Sequence, residues 1–240
     1  MSVVDMRKTN NIKLGVIILD TEFPRPVGDI GNPETFPFAV DYLRVQGASP
    51  RSIVVEDGAQ DWTLPFVAAA RELEAQGVDL ISTSCGFLAA CQGALAEAVS
   101  VPVITSSLLE VAALNATLGT GRRTAILTIH PPGLTPDLLA AVAVPPDTPI
   151  FGTDPDCHFN RSILGNAPTM DLDQARDDVV AAARRAVEEG GESFGAIVLE
   201  CTNMAPYADA VRAATGLPVR SINDAIRDAA KAIRAGKPSR

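Results

Sequence analysis

The chain has 240 residues, of which 29 are acidic and 20 basic, with a formal net charge of −9 at pH 7 and 47% hydrophobic residues. That length buries a core without disulfides, as one large domain or two small ones, and the acidic balance without any Lys/Arg-rich run argues against nucleic acid or an anionic membrane as partner, leaving a small molecule. No apolar stretch approaches the ~20 residues of a membrane helix and the first eight residues lack a signal peptide's hydrophobic segment, so a cytoplasmic, reducing location is expected, with the four cysteines present as thiols.

In chain order, short β-rich runs alternate with alanine-rich segments of helical length, the pattern of an α/β fold with parallel sheets. Strands are predicted at 13–19, 52–55, 78–83, 101–104, 124–128, 148–152, 194–199 and 217–220. Helices are predicted at 65–76, stopped by Gly77, and at 107–118, opened by a Ser107…Glu110 capping box and closed by Gly119. Further helices fit 136–143, with Thr135 as cap and Pro136 first, 172–189, with a box from Asp171 and Gln174, and 224–235, starting after Asn223 and ending at Gly236 and Pro238. The face Leu172, Ala175, Val179, Ala183, Val187 makes 172–189 a solvated amphipathic helix.

The chain repeats itself. Cys85 closes the apolar run Val-Asp-Leu-Ile-Ser-Thr-Ser, Cys201 closes Gly-Ala-Ile-Val-Leu-Glu, and Pro102 and Pro218 each follow 17 residues later, at a constant offset of 116. Leu14–Leu19 likewise matches Thr124–Leu127 at an offset of about 110. Duplication implies two similar α/β lobes related by a pseudo-twofold axis: a first over 1–115, a second over 116–215, and a C-terminal segment, 216–240, able to pack back on the first. Ligands of such sheets bind beyond the strands' carboxyl ends, where both thiols fall.

A lone buried cysteine is usually core packing, but paired placement at equivalent strand ends points to function. A thiol before a helix feels the positive end of the dipole, which should lower its pKa. Two thiols on opposite sides of a carbon can invert it without a cofactor, one removing the proton and the other supplying one. With each sulfur ~3–3.5 Å from the carbon, they stand roughly 7 Å apart, too far for a disulfide. Ser84, Thr202, Asn203 and the N–H groups after each cysteine are candidate donors to a developing enediolate.

The segments Thr83-Ser-Cys-Gly-Phe87, Leu199-Glu-Cys-Thr-Asn-Met204 and Gly15-Val-Ile-Ile-Leu-Asp20 resemble the aspartate/glutamate racemase superfamily over nearly the whole chain. The resemblance implies a cofactor-independent enzyme, commonly a homodimer, with Cys85 and Cys201 facing each other across a small carboxylate, Thr202 and Asn203 holding that carboxylate, and Asp20 contacting substrate. Amino-acid racemases commonly follow the first cysteine with Asn-Thr, whereas here Gly86 and Phe87 stand there. Related arylmalonate decarboxylases keep only one thiol, so possession of both disfavours decarboxylation. The loop Phe23-Pro-Arg-Pro-Val-Gly-Asp-Ile-Gly-Asn-Pro33, followed by Phe36-Pro-Phe38, is similar to the branch containing dimethylsulfoniopropionate lyases, which makes elimination the rival to racemisation. A non-catalytic small-molecule binding protein is the third reading.

The loop 23–37 should lie over the site as a lid or wall, with Arg25, Arg44 or Arg161 supplying a cation. Cys91 reads as core packing. Cys157 with His158 makes neither a zinc pattern nor a triad, so no metal is expected, and His130 reads as a surface or capping residue. Glu200 would raise the pKa of Cys201 if it faced it, and is read as structural or turned away. Gly119-Thr-Gly121 follows a helix, not a strand, which excludes a dinucleotide fingerprint; no cofactor is expected.

Overall fold

The computed structural model describes residues 12–56 and 58–236; the readings made at residues 1–8 and at Pro238 lie outside them. Two four-stranded parallel sheets form the molecule. The first contains β1 (Lys13–Leu19), β2 (Ala39–Val45), β3 (Leu80–Thr83) and β4 (Val103–Ile104) in the order β2-β1-β3-β4. The second contains β5 (Arg123–Thr128), β6 (Ile150–Gly152), β7 (Phe194–Leu199) and β8 (Val219–Arg220) in the order β6-β5-β7-β8, the same arrangement. The architecture is α/β with two similar lobes.

Central strands read as continuous apolar runs because both faces are covered: Leu14–Leu19 of β1 and every residue of β7 are buried. The repeated prolines do matching work. Pro102 accepts from Ile81 N–H and Pro218 from Ile197 N–H, both at 2.9 Å, so each joins its short strand to the centre through a carbonyl while its missing N–H faces away from the ladder.

One predicted strand is wrong and another went unseen. Ser52–Glu56 is a π-helical turn, with Ile53 and Val54 buried, and the second strand is instead Ala39–Val45. A three-residue apolar run does not distinguish a strand from a buried turn. β2 was hidden because it is an edge strand whose Asp41 and Arg44 interrupt the apolar pattern.

The helices are α1 (Thr63–Ala75), α2 (Gln92–Ala98), α3 (Val111–Thr117), α4 (Pro136–Ala141), α5 (His158–Leu164), α6 (Leu172–Gly190), α7 (Ala208–Thr215) and α8 (Ile222–Arg234), with 3₁₀ turns at Gly86–Cys91, Ser107–Glu110 and Thr202–Tyr207. Thr135 caps α4 by accepting from Leu138 N–H, and Asp171 caps α6 by accepting from Asp173 and Gln174 N–H. The expected Ser107…Glu110 box does not form: Ser106 caps that turn, Ser107 donates to Leu199 O at 2.7 Å, and Glu110 pairs with Arg220. α8 starts earlier than expected, behind a reciprocal box of Ser221 and Asp224.

α8 crosses back to the first sheet. Ile222, Ile226 and Ala230, at helical spacing, pack with Leu14, Val16 and Leu80 and with Ile30, Phe36 and Phe38 of the long loop. The loop's outer half is thereby clamped between the first sheet and α8, with Phe36 and Phe38 stacked at 5.3 Å between ring centroids.

Candidate active site

Cys85 follows β3 and Cys201 follows Glu200 at the end of β7, and both thiols line one narrow cavity between the lobes. Ser84, Gly86, Phe87, Thr202 and Asn203 line it with them, and Leu19, Phe23, Pro50, Val54, Ile129, Ile163 and Leu164 form its apolar wall. The free volume is about 20 Å³, room for about one water. Outside lies a wider cleft of about 550 Å³ that shares Val54 and Phe87 with the inner cavity and holds Glu56, Asp61, His130 and Asp137. The larger space is not the one that contains the thiols.

Hydrogen bonds within and between the lobes set the geometry. Ser84 Oγ accepts from Leu19 N–H at 3.0 Å, and Thr202 Oγ1 donates to Ser84 O at 2.7 Å, tying the two cysteine turns together. Asn203 Nδ2 donates to Asp29 Oδ2 at 2.8 Å, while Cys201 Sγ points at Asn203 Oδ1 at 3.8 Å. Asp29 is 1% exposed and also accepts from Arg25 and from Gly31 N–H.

The turns that follow the thiols do not lower their pKa values on balance, contrary to expectation: both are raised. Burial and the neighbouring Glu200 push Cys85 up to about 12, against smaller lowering by the Phe87 and Leu88 N–H groups and by Arg25. Burial first, then Glu200, raise Cys201 well above an ordinary thiol, and Cys85 and Asp29 add to it. In a site closed to water the cost of desolvating a charge exceeds what a single 3₁₀ turn of N–H groups returns.

Glu200 is not turned away. It is 0% exposed, takes a 2.6 Å hydrogen bond from Thr128 Oγ1 on Oε2, and leaves Oε1 without a partner. Its side chain lies directly against Gly86, where an added Cβ would overlap Oε1 and the Glu200 carbonyl oxygen.

Two of the expected substrate contacts lie elsewhere. Asp20 is fixed by Gly47 N–H and Arg44, both at 3.0 Å, which hold its carboxyl below the usual range, and it does not line the cavity. Arg25 pairs with Asp29 at 2.7 Å, donates to Thr21 Oγ1 and lies 4.6 Å over the Phe23 ring; it does not itself line the cavity. Arg44 is spent on Asp20, and Arg161 donates to Asp156 O. A polar side chain at a strand end or in a loop has competing partners that sequence position does not reveal. Asp29 was missed for the same reason. Its signal was the Gly28-Asp-Ile-Gly31 run, a charged residue where the backbone has to turn sharply: Gly28 has φ +101°.

The remaining candidates have local tasks. Cys91 is buried and donates to Ala59 O at 3.2 Å; Cys157 caps α5; His158 Nε2 accepts from Asp171 N–H at 2.8 Å; His130 faces the outer cleft. Among the described residues, no group of three or more His, Cys, Asp or Glu side chains could hold a metal ion, and no helix is long and apolar enough to cross a membrane.

The profile of the Asp/Glu/Hydantoin racemase family matches residues 37–230. The chain belongs to that family. In sequence it is 32% identical over 215 residues to dimethylsulfoniopropionate lyase 7 of Emiliania huxleyi (strain CCMP1516), covering 86% of this chain and 62% of that one. It is also 31% identical over 228 residues to a dimethylsulfoniopropionate lyase of Durusdinium sp. clade D, covering 88% and 73%. The chain thus spans less than two thirds of the length of lyase 7. In fold it matches allantoin racemase from Pseudomonas fluorescens (TM-score 0.61, 18% identity, 95% and 94% covered) and unliganded arylmalonate decarboxylase (TM-score 0.57, 19%, 96% of both). The family is thus named for racemases while these sequence relatives are lyases, and the fold is shared with a racemase and a decarboxylase.

Proposed function

We propose that this chain is a cofactor-independent enzyme that removes a proton from the carbon beside a carboxylate, with Cys85 and Cys201 as its acid–base pair, and that its reaction is racemisation or epimerisation of a small carboxylate. The supporting observation is the presence of both thiols in the wall of one closed, largely apolar cavity at the equivalent strand ends of two duplicated lobes. One cysteine, as thiolate, takes the proton; the bonding pair passes into an enediolate; the other thiol gives its proton to the opposite face. The S–H bond formed on one side replaces the one broken on the other, so the enzyme ends each turnover with the roles exchanged.

Ser84 Oγ, the second N–H of the Asn203 amide and the N–H groups that follow each cysteine serve as donors to the carboxylate, in place of an arginine, while Thr202, its hydroxyl proton spent on Ser84 O, lines the cavity and fixes the Ser84 turn. Exclusion of water strengthens those bonds, because a dipole fixed in a low-dielectric site needs no reorganisation.

A second reading, elimination, is supported by the lyase relatives. It shares the first step but ends with loss of a leaving group from the neighbouring carbon. The test is α-proton exchange in deuterium oxide with small amino acids, hydroxy acids, hydantoins and dimethylsulfoniopropionate, for the wild type, Cys85→Ser and Cys201→Ser. Exchange with the carbon skeleton retained supports racemisation, release of an alkene supports elimination, and undiminished activity in both variants overturns the assignment of the thiols.

A further inference from the structure

Glu200, packed behind the two cysteine turns, is a buried titratable group without a task in the mechanism above. It is fully buried, adjoins Cys201 in the chain and touches the residue after Cys85, yet among the described residues no cation is paired with it: Arg25, the cation that acts on Cys85, is paired with Asp29. Thr128 on β5 satisfies one oxygen and the other is unpartnered. The groups facing it are thus Cys85 from the β3 turn, Cys201 from its own turn and Thr128; the Arg25–Asp29 pair acts on the thiols.

A site of this kind tolerates one negative charge far better than two, since each added charge is desolvated and repelled by the first. Building on the acid–base role of the cysteines, we propose that Glu200 is a positioning residue that takes up the proton a thiol releases, so that Cys85, Cys201 and Glu200 together carry one negative charge and not two. The S–H bond breaks, an O–H bond forms on the carboxyl, and the net charge is unchanged. Thiolate then appears only as carboxylic acid appears beside it. Burial, partly offset by the Thr128 hydrogen bond, raises Glu200 to about 8, below both thiols, so the first proton lost from the trio is the carboxyl's.

The experiment follows the alkylation rate of each cysteine by iodoacetamide against pH, together with the ¹³C shift of the Glu200 carboxyl, identified by its loss in Glu200→Gln. In the wild type the alkylation rate should climb to about pH 8 and then level off, because beyond that point thiolate exchanges for carboxylate without further loss of a proton. In Glu200→Gln it should keep rising roughly tenfold per pH unit through the same range. Thr128→Val, which removes the bond that favours the carboxylate, should move the carboxyl titration upward, and it serves if the Gln variant does not fold. A Glu200 carboxyl titrating at the ordinary carboxylate value, or identical alkylation profiles with and without it, would overturn the proposal. Neither readout involves turnover, so loss of the thiol assignment in the exchange experiment remains a separate result.

Discussion

Asn203 and Asp29, 174 residues apart in sequence, meet inside the molecule: Asn203 Nδ2 donates to Asp29 Oδ2 at 2.8 Å, and that bond fastens the long loop of the first lobe to the turn carrying the second thiol. Together with Asn223 Nδ2 to Gly28 O at 2.7 Å and Asn166 Oδ1 accepting from Glu22 N–H at 2.7 Å, it makes the loop a fixed wall. Asp29→Ala leaves the nearly buried Arg25 without its partner and should cost about 3–5 kcal/mol, whereas Asn203→Ala should cost about 1–3 kcal/mol. Urea unfolding of the two variants gives the order directly, and equal costs would contradict it.

Phe87 and Val54 separate the thiol cavity from the outer cleft, and Gly133 lets the second lobe close on them: a Cβ there would lie 2.7 Å from Phe87 Cε1 and 2.9 Å from Val54 O. Phe87→Ala should join the two spaces. The expected outcome is a loss of about 3–5 kcal/mol in stability and faster labelling of Cys85 and Cys201 by a bulky maleimide, measured by peptide mass spectrometry. Unchanged labelling would show that substrate reaches the thiols by another route.

Gly86 is required by contact. Because one of the atoms its Cβ would meet is the Glu200 carbonyl oxygen, and β7 is fixed on both sides, the neighbour cannot yield as a flexible side chain would. Gly86→Ala should destabilise by roughly 1–3 kcal/mol, the usual range for overpacking, and Gly93→Ala, with open space around it, should not. Thermal unfolding of the pair tests this.

The Glu200 carboxyl also couples stability to pH. Its folded value, about 8, exceeds the 4.5 of a free glutamate, so the folded state holds a proton that the unfolded state has lost. That contribution is fully present below 4.5 and lost as pH rises through about 8. The wild type should therefore lose stability relative to Glu200→Gln between pH 5 and 8, and chemical denaturation at both ends of that window measures the difference. A constant difference would place the carboxyl in contact with solvent.

Much of the fold was legible because duplication writes the same pattern twice. The cysteines, the prolines 17 residues after them, and the apolar runs of β1, β3, β5 and β7 follow from local rules: strands buried on both faces need continuous apolar residues, and a proline marks an edge. β2 escaped because an edge strand half open to water needs no such run, and Ser52–Glu56 misled because three apolar residues bury equally well in a turn.

The sequence by itself determined two lobes of one design and a thiol at the same strand end of each, since periodicity and repetition depend only on neighbours along the chain. Tertiary structure decided which polar groups face those thiols. It turned Asp20 toward Arg44, spent Arg25 on Asp29, brought Asp29 to Asn203 and enclosed Glu200 between the lobes. A charged side chain takes the partner that best offsets its desolvation, and that partner is fixed by packing across the whole molecule.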